Sequence, residues 1–365
     1  MLKLFEVSGF KNFKDKISLD FSDVREYKFN SSCITENTVA KMIIYGKNSV
    51  GKSNFGLAVF DIVSHLSSKN ITPGLYDYYL NVEDDCPYAE FHYRFGFNSG
   101  EVDYVYKKDE KQTLIYETMS IKGKLLFEYD YVNRTGDLSG IHELAPTLNL
   151  SQQDVDSILR FTVNNTVMPE QHPLMQMISY VNNMLWFRSL DENRFIGYKI
   201  KSNDYFDFIF EGDRLCEFEA FINDAGINKT LKVMEDNDGR KRLYFNEKTP
   251  LPFFKVASSG TKALYTFFYW YKTAENVSML FVDEFDAFYH YELAESIVGL
   301  LEKMKSVQVI LTTHNTNLLT NRIMRPDCYF ILTKDKITSF ANATDRELRE
   351  GHNLEKLFMS GEFDG

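Results

Sequence analysis

Gly46-Lys47-Asn48-Ser49-Val50-Gly51-Lys52-Ser53 decides the fold of this 365-residue chain. The octet follows the apolar run Met42-Ile43-Ile44-Tyr45. It opens into Phe55, Ala58, Val59, Ile62, Val63 and Leu66, which share one helical face. Strand, glycine-bounded loop, Lys, Ser and helix form the context that the phosphate-cradling pattern G-x-x-x-x-G-K-[ST] requires. Gly46 and Gly51 lack a Cβ, so the backbone between them turns tightly and aims several N–H groups at phosphate oxygens. The helix start near Ser53 adds unpaired N–H groups and a positive dipole end. Lys52 reaches the β- and γ-phosphates, and the Ser53 hydroxyl holds Mg²⁺. Gly46, Lys47, Asn48, Ser49, Gly51, Lys52 and Ser53 are therefore the candidate nucleotide-binding residues.

Composition narrows the setting. The chain is 44% hydrophobic and 25% charged, an ordinary globular balance with ample length for a full core. Its net charge of −11 argues against avid non-specific DNA binding, although a local basic groove would survive it. Cys33, Cys86, Cys216 and Cys328 are far apart and form no C-x-x-C pair, which points to neither a disulfide framework nor a zinc site and fits a reducing cytoplasm. The opening Met1-Leu2-Lys3-Leu4-Phe5-Glu6 places charges too early for a signal peptide, and no apolar run approaches the length of a membrane span. A cytoplasmic protein is expected.

Either side of the octet, the pattern is mixed. Leu2 to Phe21 reads as two short strands around a turn. Phe91-x-Tyr93-x-Phe95-x-Phe97, Asn98-Ser99-Gly100 and Val102-x-Tyr104-x-Tyr106 read as a hairpin, and a second surrounds Gly123. Aromatic residues at period 2 are expected to form one core-facing side of a sheet rather than a base-stacking platform. Residues 147–250 are read as mostly helical. One helix is expected near Ser151–Phe161, and another after Pro173 through Leu174, Met177, Ile178, Val181 and Leu185. Glu235–Arg242 is expected to be a charged hairpin tip.

After Pro252 three further signals appear in order. Ser258-Ser259-Gly260-Thr261 starts a helix. Met279-Leu280-Phe281-Val282 is a continuous apolar run, as in a strand buried on both faces, and ends in Asp283-Glu284. Val307 to Thr312 is another such strand, ending in Thr313-His314-Asn315. A strand–helix–strand crossover puts both ends at the sheet edge that carries the phosphate loop. There, Asp283 would share Mg²⁺ with Ser53, Glu284 would orient or deprotonate a water, and His314 would contact that water or the γ-phosphate. Ser258, Ser259 and Gly260 make a second anion site. One nucleotide does not need two such sites, so the second is expected to serve a nucleotide held by another copy.

In this order the motifs resemble those of ABC-type ATPases of the SMC/RecF-like group. They are most similar to bacterial AAA-family ATP-binding proteins related to the overcoming-lysogenization-defect ATPases, which often occur in phage-defence and abortive-infection systems. Gly46–Ser53, Ser258–Thr261 and Leu280–Glu284 resemble Walker A, signature and Walker B, and Thr313-His314-Asn315 resembles the switch-histidine loop. Asp283 to His290 is similar to the family's D-E-x-D-A-x-x-H segment. The tail from Asn353 resembles the group's usual ending, and Phe10-Lys11-Asn12-Phe13-Lys14 resembles its N-F-[RK]-S-F opening, which adds Lys11 to the candidate nucleotide-binding residues. The signature departs from Leu-Ser-Gly-Gly-Gln, which argues against a transporter subunit. Gln112 is a weak match to the Q-loop glutamine, and residues 147–250 stand where SMC proteins carry a long coiled coil.

The resemblance implies an α/β P-loop NTPase, an ABC-type ATPase head with an N-terminal β-rich lobe and a mostly helical insertion. Its divisions are 1–146, 147–250 and 251–365. It further implies ATP and Mg²⁺ as ligands, Glu284 and His314 as catalytic residues, and an ATP-gated homodimer or higher oligomer. The expected role is the ATPase of an anti-phage system, with a separate effector such as a nuclease and no membrane partner. Two alternatives are a RecF/SMC-like DNA-repair or chromosome-maintenance ATPase and a slowly hydrolysing nucleotide-gated scaffold.

Overall fold

Fully buried strands need cover on both faces, and the apolar runs read from the sequence are covered in that way. The computed structural model describes residues 1–67, 70–71, 74–83, 85–149, 156–188, 194–197, 204–274 and 276–363. An eight-stranded sheet runs in the order Ile337–Ser339, Tyr329–Leu332, Lys41–Tyr45, Gln308–Thr313, Met279–Asp283, Met184–Arg188, Phe195–Gly197 and Asn70–Ile71. From Tyr329–Leu332 to Met184–Arg188 the neighbours pair in parallel. Every residue of Lys41–Tyr45, Met279–Asp283 and Gln308–Thr313 is buried, as parallel strands require. The helix Lys52–Leu66 packs Phe60 against Phe281 of this sheet, with ring centroids 6.3 Å apart.

The other side of that helix meets an antiparallel sheet of seven strands, in the order Thr135–Asp137, Lys124–Asp130, Leu114–Ile121, Gly100–Lys108, Ala89–Phe97, Leu2–Ser8 and Ile17–Asp20. Both hairpins form where expected, the second through Lys122 and Gly123 with φ of 53° and 74°. Phe91, Tyr93, Phe95, Tyr104 and Tyr106 are wholly buried, so the aromatic face is core. The Tyr93 hydroxyl donates to the Ala58 carbonyl at 2.9 Å, which fixes the helix on the sheet. Gln308 joins the two sheets: its amide accepts from the Leu2 N–H at 2.7 Å and donates to the Leu2 carbonyl at 3.0 Å.

A buried charge sits in the same seam. Asp61, midway along the helix, accepts from the Tyr79 and Tyr106 hydroxyls at 2.8 and 2.7 Å and from the Lys108 ammonium at 2.5 Å. Removing one member of a fully desolvated pair strands the other. Asp61→Ala is therefore expected to cost about 3–5 kcal/mol in denaturant unfolding. A loss under about 1 kcal/mol would mean that water reaches Lys108.

Residues 147–250 differ from the expected helical lobe. Helices Ile158–Asn165 and Pro173–Asn182 form, the first capped by Ser157. The start placed at Ser151–Asp154 lies outside the described residues. The second helix ends at Asn182, so Leu185 belongs to the strand Met184–Arg188, which pairs in parallel with Met279–Asp283 inside the main sheet. The stretch is thus partly woven into the main sheet. The strand Phe195–Gly197, the short helical turns Asp204–Asp207 and Phe208–Phe210, the helix Arg214–Asp224 and the hairpin Leu231–Glu235/Lys241–Phe245 follow, with the charged tip as expected. Among the described residues no helix is long and apolar enough to cross a membrane.

Candidate nucleotide site

The strands Lys41–Tyr45, Gln308–Thr313 and Met279–Asp283 lie side by side and end together, so Gly46, His314 and Glu284 leave the sheet at one edge. The loop after the first strand turns at once into the helix beginning at Lys52. Its two glycines are required sterically. A Cβ on Gly46 would come within 2.8 Å of the Leu332 carbonyl, and Gly51 has φ 103° with the Asn12 amide 2.2 Å from where its Cβ would stand. Lys47, Asn48 and Ser49 are exposed across the loop's crest, Ser49 with φ 65°.

Lys52 is buried beneath that crest. Its ammonium donates to the carbonyls of Gly46 at 2.9 Å and Lys47 at 3.3 Å and lies 2.9 Å from His314 Nε2. Burial lowers the Lys52 pKa, opposed by the carboxylates of Asp283 and Glu284. Burial also lowers the His314 pKa, aided by the Lys52 charge, so the imidazole is neutral at pH 7 and can accept from the ammonium.

Asp283 is completely buried at the end of its strand. Its Oδ1 accepts from the Thr312 hydroxyl at 2.7 Å, while Oδ2 is buried without a hydrogen-bond partner. Burial raises its pKa; the Ser53 and Thr312 hydroxyls and the Arg188 charge act against that rise. A buried carboxylate oxygen beside a serine hydroxyl is a hard-donor set that suits Mg²⁺, the ion implied for this site, and Ser53 and Asp283 are the residues that would hold it. Such an ion supplies charge to the phosphate oxygens during transfer.

Glu284 follows in a left-handed conformation, φ 49°, pinned by its N–H donating to the Thr312 hydroxyl at 2.7 Å. That turn releases the Glu284 side chain from the sheet. It lines an open cleft of about 440 Å³ with Asn48, Asp286, His314 and Asn315. Asp286 accepts from the Thr313 hydroxyl at 2.7 Å, and burial raises its pKa. A carboxylate beside a phosphate-loop cleft can orient and deprotonate a water.

The signature residues take a different position. Ser258 caps the helix Ser259–Thr273, its hydroxyl accepting from the Thr261 N–H at 3.1 Å, and Ser258 and Ser259 are exposed. Gly260 faces the turn after Walker B, where a Cβ would lie 3.1 Å from the Phe288 carbonyl. The Lys11 ammonium donates to the Asp77 carbonyl at 2.6 Å. Its neighbour Asn12 touches the loop instead, donating to the Val50 carbonyl at 2.8 Å and accepting from Asn54 at 2.8 Å. Gln112 donates to the Tyr76 carbonyl and lines a cleft with Ser64 and His65. Those two lie eleven residues along the helix from Ser53, about 16 Å at 1.5 Å per residue. Gln112 is thus not at the phosphate end.

Thr312 and Arg188 were missed. Thr312 was in view as a strand-end residue, but its bond to Asp283 depends on adjacent strands. Arg188 carried no local signal. Its Nε lies 3.4 Å from Asp283 Oδ2 and its Nη2 3.2 Å from Glu284 Oε2.

Residues 41–320 match the family described as "AAA domain, putative AbiEii toxin, Type IV TA system". No curated protein matches the chain. Among solved structures, the SMC head domain from Thermotoga maritima aligns with 93% of this chain and 98% of its own, at 16% identity and a TM-score of 0.43. The Smc head domain with an extended coiled coil, bound to the C-terminal domain of ScpA and derived from Pyrococcus furiosus, aligns over 99% and 98%, at 12% identity and a TM-score of 0.46.

Proposed function

The chain belongs to this AAA-domain family, and we propose from that premise that it is a Mg²⁺-dependent ATPase acting as an ATP-gated dimerising switch. One observation carries the reading: Lys52, Ser53, Asp283, Glu284 and His314, from the ends of three neighbouring strands and the loop after the first, meet at one sheet edge. Lys52 binds the phosphates, Ser53 and Asp283 hold the ion, and Glu284 activates water beside His314.

The dimer follows from the signature. Ser258 and Ser259 stand exposed at a helix start, where the first N–H groups have no partner within the helix. A second copy, packed head to head, would present these donors to the nucleotide held on the first. Gly260 packs on the turn that follows Glu284, which puts the proposed dimer face next to the catalytic loop. The family description names a toxin–antitoxin system, which supports a role for this ATPase in a system of that kind. The anti-phage setting and a separate effector are proposed on the motif resemblance alone.

Ser259→Arg tests the dimer. It is expected to leave nucleotide affinity of the single chain within about twofold, as surface changes do. It should also remove the ATP-dependent dimer measured by light scattering. An intact dimer in this variant would overturn the two-copy site.

A further inference from the structure

Arg188 ends the strand Met184–Arg188 and stands opposite Asp283 in the parallel register. Its guanidinium reaches both Walker B acids through different atoms, Nε toward Asp283 Oδ2 at 3.4 Å and Nη2 toward Glu284 Oε2 at 3.2 Å. The division of the Asp283 carboxylate matters. Oδ1 is committed to the Thr312 hydroxyl, so Oδ2 is the oxygen left to a ligand, and Oδ2 is the one that Arg188 faces. A divalent cation joining Asp283 there must share the oxygen with a fixed positive charge, and like charges at that separation repel. The Glu284 contact uses a separate nitrogen and need not break when the first is lost.

Resting on the Mg²⁺-ATPase reading, we propose that Arg188 is a positioning residue and an internal competitor for the nucleotide's cation: it yields Asp283 to the ion while keeping its hold on Glu284. Its effect is to raise the Mg²⁺ concentration at which the site engages nucleotide. Arg188 has no part in binding the phosphates themselves.

Titration of the full chain with a fluorescent ATP analogue, at graded Mg²⁺ and in EDTA, separates these roles. Arg188→Ala is expected to lower the half-saturating Mg²⁺ about fivefold, the upper end of what one ion pair contributes at a water-accessible site. The affinity measured in EDTA should stay within about twofold. Arg188→Lys, which keeps the charge, should stay near wild type, and neutral Arg188→Gln should repeat the alanine result if the alanine variant does not fold. An unchanged or higher Mg²⁺ requirement in the neutral variants overturns the proposal. Loss of affinity in EDTA also overturns it, because Arg188 would then be a phosphate ligand. Failure of wild type to bind the analogue would instead overturn the ATPase reading, and this proposal with it.

Discussion

Lys52→Ala loses nucleotide binding, with affinity expected to fall by a factor on the order of 10²–10³. The lysine is already held in place, bonded to the Gly46 and Lys47 carbonyls and to His314, and largely withdrawn from water. A phosphate arriving over the loop therefore meets a desolvated cation that need not be ordered on binding, and such charge-assisted contacts are the strong ones. Truncation removes that charge and leaves the carbonyls directed at empty space. The loss should be specific to binding, since Asp61 and Lys108 lock the same helix to the antiparallel sheet about two turns further on. Equilibrium titration with a labelled nucleotide, next to a thermal melt, measures both. Affinity within about threefold of wild type would show that Lys52 does not touch phosphate.

How much of this site the sequence revealed depended on where each interaction is made. The phosphate loop, Asp283, Glu284 and His314 are legible because each is a local pattern: a continuous apolar strand followed by polar residues. Parallel pairing then brings the strand ends to one edge without further information. Arg188 and Asn12 are illegible for the opposite reason. Arg188 matters through a strand pairing across some ninety residues of chain, and Asn12 through a loop thirty-eight residues away. Leu185 reads as helical in the sequence because it continues the spacing of Leu174, Met177, Ile178 and Val181. Asn183 breaks that spacing by turning its side chain back to the Ser179 carbonyl at 2.9 Å, and four consecutive buried residues then behave as a central strand. The Asp61–Lys108 pair is equally silent, since two opposite charges far apart in sequence reveal neither burial nor contact.

Glu284→Gln should leave binding intact while turnover falls by a factor on the order of 10²–10³, the usual loss when a general base is neutralised. Gln is close to Glu in volume and keeps one side-chain oxygen, so the cleft with His314 and Asn48 retains its shape. Backbone strain is also unchanged. Position 284 sits at φ 49°, where any residue with a Cβ carries a penalty, and Gln inherits the same conformation with the same N–H bond to Thr312. Glycine at 284 would relieve that strain and remove the carboxylate together, which makes Gln the cleaner test. What changes is the charge. The amide cannot take a proton from water, and the ion pair with Arg188 becomes at most a hydrogen bond from the guanidinium to a neutral amide oxygen. If the proposed head-to-head dimer is opened by hydrolysis, the variant should accumulate as an ATP-bound dimer, seen by light scattering at twice the mass of the chain. A Glu284→Gln protein hydrolysing ATP within about threefold of wild type would remove Glu284 from the mechanism. Slow turnover without a trapped dimer would keep Glu284 as the base and separate hydrolysis from dissociation.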